Sequence, residues 1–117
     1  DYTRNYIEAG GTRAFSDYYT ADDENVVLRP SLRDKIVFSP HNLVTDGSPN
    51  EFNVIVCRNV LIYFNQALQN RVLKLFHESL GRFGCLCLGN KESLRFTSLA
   101  PVFVEVDADE RIYRRSE

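Results

Sequence analysis

Residues 52 to 64 read FNVIVCRNVLIYF, an apolar run interrupted in its middle by Arg58 and Asn59. Val54 to Cys57 is too short for a helix and rich in branched side chains. That pattern predicts a strand dry on both faces, as in a parallel sheet. Residues 65 to 80 follow, with Leu68, Val72, Leu73, Phe76 and Leu80 at helical spacing. Asn65 suits the N-cap, and Gly81 falls where such a helix stops. Gly84 then introduces CLCLG (85–89), a second buried-strand run. Val102–Val106 and Arg111–Arg115 flank Asp-Ala-Asp-Glu as a terminal hairpin. Strand, helix, strand and hairpin make the second half of an open α/β sheet, whose ligands bind beyond the carboxyl ends of the strands. Arg58 and Asn59 follow the first strand and so belong to that edge.

The front half is more polar. Tyr2, Tyr6 and Ile7 suit a short helix, Gly10-Gly11 a break, and Phe15, Tyr18 and Tyr19 a further helical turn. Val26–Leu28 and Ile36–Phe38 read as two short strands around a Pro30-Ser31 turn, a small hairpin. Residues 41 to 52 carry Asp-Gly and Ser-Pro-Asn, the signals of a surface loop. The expected organisation is therefore a helix-plus-hairpin segment over 1–40 and the half-sheet over 41–117.

With 117 residues, 44% of them hydrophobic and 26% charged, the chain is long enough for one modest core. Its net charge of −2 opposes nonspecific nucleic-acid binding, which needs a basic face. No apolar stretch is long enough for a membrane span, and no signal peptide opens the sequence. Cys57, Cys85 and Cys87 lie in apolar segments and read as reduced core thiols, hence a cytoplasmic protein. The chain contains no methionine and opens on Asp-Tyr, which reads as a piece of a longer protein.

Three polar groups compete for a site. Arg58 suits a carboxylate in bidentate fashion and Asn59 offers donor and acceptor. The plainer alternative pairs Arg58 with a nearby carboxylate and lets Asn59 cap a turn. Asn42, in His41-Asn42-Leu43 after the second short strand, faces a ligand or, more ordinarily, makes a turn. In LGNKESL (88–94), Gly89 permits close backbone approach, Glu92 reaches toward the crevice, and Lys91 suits a solvated loop.

Taken together, HNL, CRNVLIYF, a helix containing QNRVL, and LGNKESL resemble the CheR-type chemoreceptor methyltransferases across roughly residues 25 to 115. The eight-residue CRNVLIYF block is the most specific part. The resemblance implies a class I, Rossmann-like methyltransferase sheet of which this is the C-terminal half. It implies S-adenosylmethionine as cofactor and methyl transfer to glutamate side chains on the helical cytoplasmic region of a chemotaxis receptor. It implies that Asn42, Leu43, Arg58 and Asn59 line the cofactor pocket and that Tyr63 lies near the transferred methyl. Tyr63 is open to a second reading as a core residue with its hydroxyl on backbone. No metal is implied. Residues 1–40 would match an insertion that in some members pairs with a receptor tether, by edge-strand addition.

Departures from the family pattern are Asn53 for an aspartate, Arg82-Phe83-Gly84 for Pro-Gly-Gly, and Asn-Lys after Leu-Gly. The family's glycine-bearing cofactor loop, its ribose-holding acid and its helical N-terminal domain all precede this segment. The expectation is half a pocket, no useful methyl transfer by these residues alone, and exposed sheet edges that favour self-association. The rival reading is a noncatalytic methyltransferase-like module serving regulation. A Cys57–His41 hydrolase is the weakest alternative, since a thiol closing an apolar run is usually inert.

Overall fold

The computed structural model describes residues 1–116 apart from 23 and 49. Pro49 of the expected Ser-Pro-Asn loop signal thus lies outside the described residues. The chain divides into two compact units, Asp1–Pro40 and His41–Glu117.

In the first unit, α1 spans Tyr2–Glu8, a 3₁₀ turn spans Phe15–Tyr18, and strands β1 (Tyr19–Ala21) and β2 (Val26–Leu28) follow. Aromatic contact holds it together. The Tyr6 ring stacks on Phe15 at 5.4 Å and meets Tyr18 edge-on at 5.8 Å. The glycine break serves this packing, because a Cβ on Gly11 would overlap the Tyr6 ring.

The expected hairpin forms with a different partner. Val26–Leu28 pairs antiparallel with Tyr19–Ala21, not with Ile36–Phe38. Asp22 explains why: its carboxylate accepts the Glu24 and Asn25 backbone N–H groups at 3.0 and 2.6 Å, closing the chain right after β1. Those two hydrogen bonds hold its carboxyl below the usual range. Pro30–Arg33 is a single helical turn, α2, and residues 36–38 form no strand, with Val37 91% exposed. A proline at the first helical position starts a turn of helix as readily as a reverse turn.

In the second unit, β3 (Phe52–Cys57), α3 (Gln66–Ser79) and β4 (Leu80–Leu88) form a parallel crossover, and β5 (Phe103–Asp107) with β6 (Ile112–Arg115) forms the hairpin. The four-stranded sheet has the order β3-β4-β6-β5, with only the β3–β4 pair parallel. The mixed sheet and its helical crossover are a partial Rossmann-like architecture. Asn65 caps α3, its side-chain oxygen accepting from Leu68 N at 2.9 Å. Helix α3 ends at Ser79, two residues before Gly81, which lies inside β4. Arg115 of β6 donates to the His77 and Leu80 carbonyls there, satisfying acceptors that the helix end leaves open.

Val72, Leu73 and Phe76 of α3 pack on Cys57, Leu86, Leu88, Phe103 and Tyr113, the inward-pointing alternates of all four strands. The opposite face differs from expectation. Val54 and Val56 are 56% and 66% exposed, so β3 is dry on one face only. The reason is positional: β3 is the edge of the sheet, and α3 covers the other face.

Leu86, fully buried in β4 between Ile55 of β3 and Tyr113 of β6, is the residue on which this layer closes. Leu86→Ala is expected to cost about 2–5 kcal/mol by urea unfolding, through lost burial plus a cavity. Val104→Ala, on the bare face of the same sheet, should cost less than about 1 kcal/mol.

Candidate functional site

Cys57 of β3 lies in register with Leu88 of β4, and the strands are parallel, so both chains leave the sheet on one rim. Arg58 and Asn59 come next in one chain, Gly89 and Asn90 in the other. Glu92 joins the two exits. Its carboxylate, 4% exposed, accepts backbone N–H groups from Asn59 at 2.9 Å, Leu61 at 2.8 Å and Gly89 at 2.8 Å. A carboxylate offers enough lone pairs for three such donors, and here they are all main-chain.

This clamp dictates the neighbouring residue types. Asn59 sits at φ 61°, a left-handed conformation that asparagine tolerates better than branched residues. A Cβ on Gly89 would lie 2.6 Å from Asn59 Oδ1 and 2.8 Å from Glu92 Oε1, so no larger residue fits there. Gln69 holds the far side of the elbow, donating to the Leu61 and Phe64 carbonyls at 2.8 and 3.1 Å.

Arg58 is exposed and loosely held, donating to Leu88 O at 3.3 Å and Asn90 Oδ1 at 3.4 Å. Among the described residues it forms no ion pair with a carboxylate, and the Asn59 side-chain amide makes no hydrogen bond. Both groups stand at the rim with hydrogen-bonding capacity to spare. Tyr63, in the 3₁₀ turn Leu61–Tyr63, is 80% exposed. It is therefore no core residue in this chain.

Asn42 and Leu43 are not brought to this rim. Asn42 Oδ1 accepts from Val44 N at 2.9 Å and Thr45 N at 3.1 Å, while its own N–H goes to Asp46. That is a local Asx turn. Leu43 lines an apolar hollow with Phe52, Ile55, Leu75, Phe76 and Ser79. Phe52 begins β3 and Ser79 ends α3, so the hollow lies toward the amino ends of the strands.

The thiol chemistry closes off one alternative. Burial, then the Glu92 charge, pushes Cys57 up to about 11. At neutral pH it is a thiol, not a nucleophile. His41 instead bonds the Gly47 carbonyl at 2.9 Å and lines the hollow with Leu43.

Glu92 was legible as a rim residue in LGNKESL, but its role as the clamp was not. The usable signal is a glutamate three residues after a strand-ending glycine. A carboxylate there can fold back onto the glycine N–H, as a capping-box residue does.

Two outcomes are expected. Glu92→Ala strands three main-chain donors, two of them in buried positions, and should cost about 3 kcal/mol or more in urea unfolding. Cys57 should resist iodoacetamide at neutral pH and become reactive only as pH approaches about 11, by peptide mapping. Because the folded state holds this proton more tightly than the unfolded chain, the stabilisation is complete below about pH 9 and is lost as pH rises through about 11.

The family model described as CheR methyltransferase, SAM binding domain, matches residues 2–111. Cher3 of Pseudomonas putida is 47% identical over 116 residues, which cover 99% of this chain and 42% of that protein. A chemotaxis protein methyltransferase of Listeria monocytogenes is 43% identical over 57% of this chain and 26% of its own length. Chemotaxis protein methyltransferase 1 of Vibrio cholerae is 37% identical over 63% of this chain and 27% of its own length. The chain thus spans less than half the length of these relatives. Parallel strands ending on one glutamate-clamped rim, with a match from end to end, place this chain in the CheR methyltransferase SAM-binding domain family, whose cofactor is S-adenosylmethionine.

Proposed function

We propose that this chain forms the C-terminal part of a protein-glutamate O-methyltransferase acting on the helical cytoplasmic region of methyl-accepting chemotaxis receptors. The observation that carries the reading is the Glu92 clamp, which fixes Arg58 and Asn59 at the carboxyl rim of a parallel strand pair. Ligands of open α/β sheets bind at that place.

The rim fits part of S-adenosylmethionine by its donor set. Arg58 matches the carboxylate of the cofactor's amino-acid end, and the uncommitted Asn59 amide offers both a donor and an acceptor. When bound, the cofactor supplies a methyl group on a sulfonium, already electrophilic. Tyr63 and Ile62 stand beside the rim and would narrow the approach and keep water out. A glutamate carboxylate is ionised at neutral pH, so the chain need supply no general base. Its task is alignment. The reading rests on Arg58, Asn59 and Tyr63, since Asn42 and Leu43 lie elsewhere.

The bare face bearing Val54 and Val56 and the free edge of β3 support an incomplete sheet. We infer that the chain alone binds the cofactor poorly and self-associates. Calorimetric titration of S-adenosylmethionine into the isolated chain should show no micromolar binding; micromolar affinity would overturn that expectation. In the full-length protein, Arg58→Ala should weaken cofactor binding at least about tenfold, the scale of a charge-assisted hydrogen bond. Transfer of labelled methyl to receptor glutamates should be lost when the acceptors are changed to alanine. Cofactor binding with no transfer to any receptor would instead favour a regulatory module.

A further inference from the structure

Phe96 packs against nothing among the described residues that would favour an aromatic side chain there. It is 94% exposed, and its backbone sits at φ 63°, where glycine is favoured and a bulky side chain is strained. Exposed Phe83 has a similar φ of 61°, but there the Arg82 and Arg114 guanidinium groups cover the ring at 5.0 and 5.8 Å. Phe96 has no such cover among the described residues. A strained residue that packs on nothing lowers stability without return to the fold, and such outliers gather at functional positions.

Its location is specific. Phe96 lies in the segment that follows β4, past the Glu92 clamp. Gln66, the first residue of α3, donates to its carbonyl at 3.4 Å. Ile62 and Tyr63 precede that helix start and are 48% and 80% exposed. Three exposed apolar side chains therefore issue from two loops tied together at one rim. Arg58, Lys91 and Arg95 stand exposed on the same two loops, Arg95 partly neutralised by Glu105 at 3.4 Å.

We propose that Ile62, Tyr63 and Phe96 form an apolar platform that docks the methyl-accepting helix, with Lys91 and Arg95, the exposed cations not assigned to the cofactor, drawing its glutamates to the rim. The proposal rests on the methyltransferase reading above and names how its protein substrate is held. The matching partner is an amphipathic helix with apolar residues at three- and four-residue spacing and glutamates between them. Those two exposed cations favour that partner over a basic one.

The test uses the full-length protein, a purified receptor cytoplasmic fragment and the variants Phe96→Ala and Phe96→Gly. Both variants should raise KM for the receptor fragment about fivefold or more, the scale of losing one aromatic anchor, with cofactor Kd unchanged. Phe96→Gly should leave the melting temperature unchanged or raise it, because glycine relieves the strained backbone. Phe83→Ala, toward the amino end of β4, serves as control and should not move KM. An unchanged KM in both Phe96 variants overturns the platform, as does a several-degree fall in melting temperature with Phe96→Gly. If the wild-type protein transfers no methyl, the functional reading fails separately. Direct binding of the receptor fragment then decides the platform: Phe96→Ala should weaken it about fivefold, and equal binding or none by wild type overturns it.

Discussion

One buried carboxylate organises the second unit's functional edge. Glu92 accepts main-chain donors from two chain exits, the elbow after β3 and the turn after β4. Burying a carboxylate is costly unless its lone pairs are filled, and no cation is paired with it among the described residues. Three N–H groups fill it instead. Because those donors are backbone, the clamp fixes the path of the chain and leaves the neighbouring side chains free. Arg58 and the Asn59 amide remain available for that reason.

The same charge acts on Cys57, one residue before the elbow. Burial already disfavours a thiolate there, and a nearby carboxylate disfavours it further. The clamp and the dry strand end thus jointly silence a thiol that, beside a cation, could have been reactive. The proposed methyl transfer asks the rim only to align two reactants, and the absence of a competing nucleophile there suits it.

What could be read from the sequence follows the range of the forces involved. Local periodicity and capping located α3 and its Asn65 cap, and the strand β4 with its hairpin neighbours. The rim position of Arg58 and Asn59 followed from strand direction alone, since any parallel pair joined by a crossover helix ends on one side. The errors lie where pairing is optional. Val26–Leu28 had two neighbours of similar β character, and the Asp22 turn selected the earlier one. Asn42, placed in the pocket by resemblance, has its side-chain oxygen engaged in a local turn here. The exposure of Val54 and Val56 depends on what covers the sheet, which four residues of branched apolar sequence cannot specify.

The two left-handed phenylalanines show where physical argument goes beyond family pattern. Phe83 stands where the resemblance places a glycine turn, and its φ of 61° is a conformation that glycine adopts freely. Two arginines stack on that ring, which gives the departure a local partner. Phe96 carries the same strain with no such compensation. Equal backbone cost with unequal packing means that the second residue cannot be explained by stability of this chain. Its ring finds no partner among the described residues, at a rim that holds spare cationic donors, and the proposed receptor helix would supply one.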